Sequence, residues 1–256
     1  MEEKEIKLLN ERSIKKKNLI LNTSHDIDSF KSRIKYRKVL VLFIFFILWI
    51  VVRIGFHYLD TDEGVTNPNY CLNCKLLTNI LYPISNLISQ NLIVRDLLLI
   101  FASTMLDIGL ITFGVIYIKN GNSWAYPLAF LIFYGVRSVV QELFTMQFLD
   151  TFVFDNPGFP SIVVPYFRTP DFFYSGHIGC SLILSLSFRD WGYKIFSNYF
   201  IFVVCLEAFV MTVTRAHYSI DIIFGFIAGH YFYIISKYLA KYLDVNLPLC
   251  GMKDLS

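Results

Sequence analysis

Thr214-Arg215-Ala216-His217-Tyr218-Ser219-Ile220-Asp221 sets an arginine, a histidine and a carboxylate between two long apolar runs. Ionisable side chains beside hydrocarbon are costly, and they are usually retained there for chemistry or transport. Read as helix, the stretch puts His217 and Asp221 one turn apart on a single face, so the carboxylate can hold one imidazole nitrogen and leave the other free. A second polar island, Tyr174-Ser175-Gly176-His177, opens the preceding apolar run and supplies another imidazole for proton transfer. Two histidines at the ends of apolar segments point to phosphoryl chemistry at a membrane surface.

The rest of the composition agrees. Of 256 residues, 55% are hydrophobic and 17% charged, more apolar side chain than one soluble core of this size would hide. The expected fold class is therefore all-α, a polytopic membrane protein built as a six-transmembrane-helix bundle. The net charge of +3 is small, and the basic residues form short clusters beside apolar runs, which argues against nucleic acid. Five cysteines include one close pair, Cys71 and Cys74, with no second such pair and no neighbouring histidine, so no four-ligand zinc site assembles locally. Cys180 and Cys205 read as small packing residues. No metal and no cofactor is expected. No removable signal peptide is evident in Met1 to Lys38, so the first span is expected to direct its own insertion.

Taking about 20 apolar residues as the requirement for crossing hydrocarbon, six spans are expected, near 38–58, 97–118, 124–145, 172–188, 195–213 and 220–237. They divide the chain into a tail over 1–36, a catalytic bundle over 37–240 and a second tail over 241–256. Lys31, Arg33, Lys35, Arg37 and Lys38, then Lys119, Arg189, Lys194, Lys237 and Lys241, all fall on one side of such a bundle. By the rule that short basic loops stay cytoplasmic, both termini face the cytoplasm and both histidines face the lumen or exterior. The loop with Cys71 and Cys74 shares that oxidising face, where a disulfide and two free thiols are both open. The sequon at Asn22-Thr23-Ser24 would be cytoplasmic and unused. Lys15-Lys16-Lys17 reads as a solvated run or a contact for anionic headgroups. Gly225 and Gly229 give the last span a flat face for close helix contact, with Ser181 and Ser185 offering the same in the fourth. Glu207 and His230, inside the last two spans, read as internally hydrogen-bonded packing residues.

Phe173-Tyr174-Ser175-Gly176-His177 followed some 40 residues later by His217-Tyr218-Ser219-Ile220-Asp221 resembles the paired motifs of the sphingomyelin synthase superfamily, itself related to the type 2 phosphatidic acid phosphatases. With Ser187-Phe188-Arg189 after the first motif and Thr214-Arg215-Ala216 before the second, the context most resembles the phosphatidylcholine:diacylglycerol cholinephosphotransferases. The similarity is clear from about Arg137 to Gly229.

The reading of the residues and the resemblance converge on a headgroup transferase. It would move phosphocholine or phosphoethanolamine from a phospholipid donor to a diacylglycerol or ceramide acceptor within the bilayer, in the endoplasmic reticulum, Golgi or plasma membrane. His217 is the expected nucleophile, Asp221 its orienting partner and His177 the acid and base. Metal independence is implied by the resemblance. Charge on the phosphoryl oxygens then falls to Arg215 and Arg137, with Ser175 and Tyr218 as further phosphate contacts. Arg137 is equally readable as a structural partner of Asp107 or Glu142, and Arg168 as an interfacial anchor. A lipid phosphate phosphatase is the alternative, weakened because Arg168-Thr169-Pro170 sits too near His177 for the phosphatases' additional basic motif. A sphingomyelin or ceramide phosphoethanolamine synthase is a second alternative, weakened by Arg215 where those enzymes usually carry an acidic residue. A lipid scramblase or binding protein on an inactive scaffold is less favoured, since the set His177, His217 and Asp221 is intact. Homo-oligomerisation is compatible with the sequence.

Overall fold

The computed structural model describes residues 32, 34–44, 46–48, 50–51, 75–143, 153–164, 166 and 173–246, and every regular element among them is helical. Cys71, Cys74, Arg168, Lys15-Lys16-Lys17 and the sequon lie outside the described residues. Helix α1 falls within 34–51, followed by α2 (Lys75–Gln90), α3 (Leu92–Asn120), α4 (Ala125–Leu143), α5 (Gly176–Asp190), α6 (Lys194–Val213) and α7 (Ser219–Asn246).

Three of these, α3, α6 and α7, are long and apolar enough to cross a membrane, and α4 is apolar over the shorter stretch Ala125–Gln141. At about 1.5 Å per residue, the 29 residues of α3 reach roughly 43 Å. Their outer faces carry large apolar side chains such as Ile108, Ile111, Ile201, Phe202, Phe226 and Ile227, all exposed. The fourth expected span is shorter than the sequence suggested. Residues 173–175 are irregular and α5 begins only at Gly176. Helix α2 was not anticipated, because its apolar residues alternate with Asn79, Ser85, Asn86 and an internal Pro83, so it never forms an apolar run.

Helix α5 is flanked by α6 and α7, with α4 packed on α7. Helices α5 and α7 run parallel, starting from the same end, and lie close enough that no side chain fits between them at two points. A Cβ on Gly225 would stand 2.8 Å from the Ser175 carbonyl oxygen, and one on Gly229 would stand 2.9 Å from the Gly179 Cα. The flat face expected on α7 is therefore used, though its counterpart is Ser175 and Gly179. Ser185 turns to α6 and donates to the Ser197 carbonyl at 2.9 Å, while Ser181 donates within its own helix to the His177 carbonyl at 2.8 Å.

The far end of the bundle is closed by polar contacts between helix ends. Lys237 Nζ and Tyr233 OH both donate to Asp190, at 2.6 and 2.9 Å. Asp244 accepts from Ser123 Oγ and the Trp124 amide, and Asn120 donates to Tyr193 OH. Trp191 packs on the rings of Phe113 and Tyr126. Lys119, Arg189, Lys194 and Lys237 thus gather at one end, and the two histidine motifs at the other.

Candidate active site

The turn from α6 to α7 builds half of the site. Thr214 Oγ1 donates back to the Val210 carbonyl, and the amides of Ala216 and His217 both return to the Met211 carbonyl at 3.0 and 3.4 Å. To turn this tightly the chain carries Arg215 at φ 55, a left-handed conformation that strains any residue with a Cβ. Helix α7 then starts at Ser219. His217 lies outside it, so the two motif residues do not share a helix face as the sequence suggested.

They approach all the same. Asp221 is the third residue of α7, and its Oδ2 accepts the Tyr218 amide at 2.9 Å, the arrangement in which a carboxylate in the first turn caps the residue ahead of the helix. His217 Nδ1 stands 3.5 Å from the same oxygen. That exceeds the roughly 2.6 to 3.2 Å expected for an orienting hydrogen bond. The other oxygen of Asp221 accepts the Phe173 amide at 3.2 Å, and its backbone carbonyl accepts the Ser175 amide at 2.9 Å. Asp221, fully buried, therefore ties the two motifs together through backbone as well as side chain.

The first motif enters α5 under similar constraint, with Phe173 at φ 111. His177 lies in the opening turn of α5, half-buried, its ring centroid 6.3 Å from that of buried His217 and 6.1 Å from that of Phe154. Ser175 occupies the N-cap position with extended backbone, yet its hydroxyl makes no cap bond and has no hydrogen-bond partner among the described residues. Beside it lies the buried Arg137 of α4, whose Nε donates to the Tyr174 carbonyl at 3.2 Å. A guanidinium and a helix N-terminus on one spot make a local positive field suited to an anion.

Other expected residues are placed differently. Arg215 reaches α2, where Nε donates to Ser85 Oγ at 3.2 Å and the guanidinium lies over the Tyr82 ring. Tyr218 is buried in the turn. Asp107, weighed as a partner of Arg137, instead accepts from Ser161 Oγ and the amides of Ile162 and Val163. The Glu142 side chain lies outside the described residues. His230, expected to be internally bonded, is exposed on α7. Glu207 is buried as expected, but neither of its carboxyl oxygens has a partner among the described residues.

Two supports escaped sequence reasoning. One is α2 as the seat of Arg215. The other is the irregular strap over 153–164 and 166, pinned by Val153 N to the Thr214 carbonyl, by Arg95 to Asp155, by Asp107, and by Tyr166 OH to the Leu99 carbonyl. It brings Phe154 against His177. Its one legible signal was Asn156-Pro157-Gly158, where Asn156 Oδ1 accepts the Gly158 amide and Gly158 takes φ 76.

No curated protein and no solved structure matches this chain. A family match does exist, and it spans residues 86–238, more than half of the chain, enclosing α3 through most of α7 and both histidine motifs. By that match the chain belongs to the AtPDCT1/2 family, the phosphatidylcholine:diacylglycerol cholinephosphotransferases.

Proposed function

We propose that this protein transfers phosphocholine from phosphatidylcholine to diacylglycerol through a phosphorylated His217. The observation that carries the reading is the placement of the His177 and His217 rings 6.3 Å apart, with the Asp221 carboxylate 3.5 Å from His217. In the first half-reaction a ring nitrogen of His217 attacks phosphorus, the phosphorus bond to the diacylglycerol oxygen breaks, and His177 gives its proton to that oxygen. In the second, His177 takes the proton of the incoming hydroxyl, whose oxygen attacks phosphorus while the phosphorus bond to nitrogen breaks. The proton balance closes over the two halves. Asp221 steadies the imidazolium form of His217.

Arg137 and Ser175, meeting at the N-terminus of α5, suit the phosphoryl oxygens. Tyr218 and Arg215 complete the proposed phosphate contacts, with Arg215 having to leave Ser85 to do so. The proposed architecture is six spans over 37–240 between two cytoplasmic tails, with the histidines on the lumenal or outer face, in the manner of the sphingomyelin synthase superfamily. The gathering of Lys119, Arg189, Lys194 and Lys237 at the opposite end supports that orientation.

The full chain, purified in detergent and given headgroup-labelled phosphatidylcholine with diacylglycerol, should pass label to the diacylglycerol. Label recovered only in water-soluble products would sink the transferase reading, and transfer to ceramide but not diacylglycerol would change the acceptor.

A further inference from the structure

Glu207 sits on the inner face of α6, 1% exposed, with neither carboxyl oxygen bonded among the described residues. Its level in the bundle is that of His177. Antiparallel packing sets Leu182 and Ile178 of α5 beside Val204 and Ala208 of α6, which brackets Glu207 at the first turn of α5. On the α3 side, Tyr199 OH donates to the Met105 carbonyl and Phe200 packs on Gly109, so Glu207, two turns further along α6, lies level with Leu99, whose carbonyl accepts Tyr166 OH. Burial, opposed by a hydrogen bond with Ser103 and reinforced by Glu207 and Asp107, pushes the Tyr166 phenol up to about 12. The Tyr166 ring stands 5.4 Å from that of Phe154, which in turn meets His177. A chain of ring contacts therefore runs from Tyr166 through Phe154 to the proposed acid and base, with Glu207 at the same level of the bundle.

The second acidic group here, Asp107, is satisfied by Ser161, Ile162 and Val163. Among the described residues Glu207 has no such donors. A carboxylate taken out of water without a counter-charge is unfavourable, and it is offset by a proton or by a bound cation. Aromatic faces beside a carboxylate are the surroundings in which a quaternary ammonium is bound, because ring quadrupole and anion attract it together while the walls exclude water.

We propose that Glu207, with Tyr166 and Phe154, is the subsite for the cationic end of the transferred headgroup, its trimethylammonium or ammonium group. This deepens the transferase reading and rests on it for the place of the phosphate. In a phosphocholine ester the cation is an oxygen and two carbons from phosphorus, so a phosphate held between the histidines leaves the ammonium within reach of Phe154. The subsite would favour zwitterionic donors over phosphatidic acid.

The test uses binding, which does not require turnover. The full chain in a non-ionic detergent is titrated with short-chain phosphatidylcholine and with its 3,3-dimethylbutyl analogue, the same shape without the charge. Glu207→Gln should weaken phosphatidylcholine by roughly 30-fold or more, the range for removing one partner of a buried charge pair, and leave the neutral analogue within about 3-fold. Equal weakening of both ligands, or of neither, overturns the subsite. Should Glu207→Gln fail to fold, Phe154→Leu should give the same preference at smaller amplitude, about 3-fold, from the lost ring face. Discrimination by charge that depends on Glu207, in a wild-type protein that transfers nothing, would sink the transferase reading and keep the subsite. Normal transfer by Glu207→Gln from phosphatidylcholine would do the reverse.

Discussion

The two interhelical turns that bracket α6 solve one problem in opposite ways. Between α5 and α6 the left-handed position is Gly192 at φ 82, and the amides of Trp191, Gly192 and Tyr193 all find carbonyls of the same turn. Between α6 and α7 the left-handed position is Arg215, and the turn closes around buried ionisable groups. Among the described residues the only non-glycine residues at positive φ, Phe173 and Arg215, flank the two histidine motifs. Each such position costs on the order of 1–3 kcal/mol unless its surroundings hold it. One turn minimises strain; the other keeps it where a guanidinium and an imidazole must point in set directions.

If that contrast is correct, substitutions at the histidine end should act on activity and those at the far end on stability. The largest effect is expected from His217→Ala or His177→Ala, each lowering headgroup transfer by about 1,000-fold or more with the fold kept, since members of one relay fail together. Transfer assays beside thermal unfolding in detergent will decide it, and normal turnover by either variant would end the assignment. Next comes Asp221→Asn, expected to lose about 100-fold. Because both oxygens of Asp221 accept backbone amides, and an amide group must turn its NH2 toward one of them, the unfolding temperature should fall as well. A variant fully active and fully stable would show that the contact at 3.5 Å is incidental.

A reciprocal pair sharpens the comparison. Gly192→Ala should cost about 1 kcal/mol of stability, the penalty for a Cβ in the left-handed region, and leave activity per folded molecule unchanged. Arg215→Gly should relieve strain and raise the unfolding temperature while lowering transfer, as the guanidinium proposed to meet the phosphate is lost. Both are read by the same two assays, and parallel behaviour would erase the distinction between the turns. The smallest effect belongs to Lys237→Ala. Its ion pair with Asp190 involves a half-exposed lysine, so about 0.5 kcal/mol or less is expected, with no change in transfer.

The sequence carried the class of fold and the identity of the motif residues, because an ionisable group inside an apolar run stands out on composition alone. It carried their geometry less well. Whether His217 lay inside or outside α7 depended on where the Met211 carbonyl fell, which is tertiary information. Asp107 and Glu207 look alike in the chain, each a lone acid in an apolar span. Only the path of the strap decides that, among the described residues, one meets three donors and the other none. Helix α2 was missed because an amphipathic segment with an internal proline makes no signal in a search for apolar runs.

The two close approaches between α5 and α7 have a further consequence. Ser175 and Gly179 are four apart, as are Gly225 and Gly229, so the parallel helices interlock at two teeth one turn apart. Sliding by a single residue would drive side chains into backbone, and the next permitted setting is a full turn away, about 5.4 Å. His177 rides on one rack, and His217 enters the other through Asp221. The separation of the imidazoles is thus a machined length, and a pair of missing side chains in the last helix serves as its gauge.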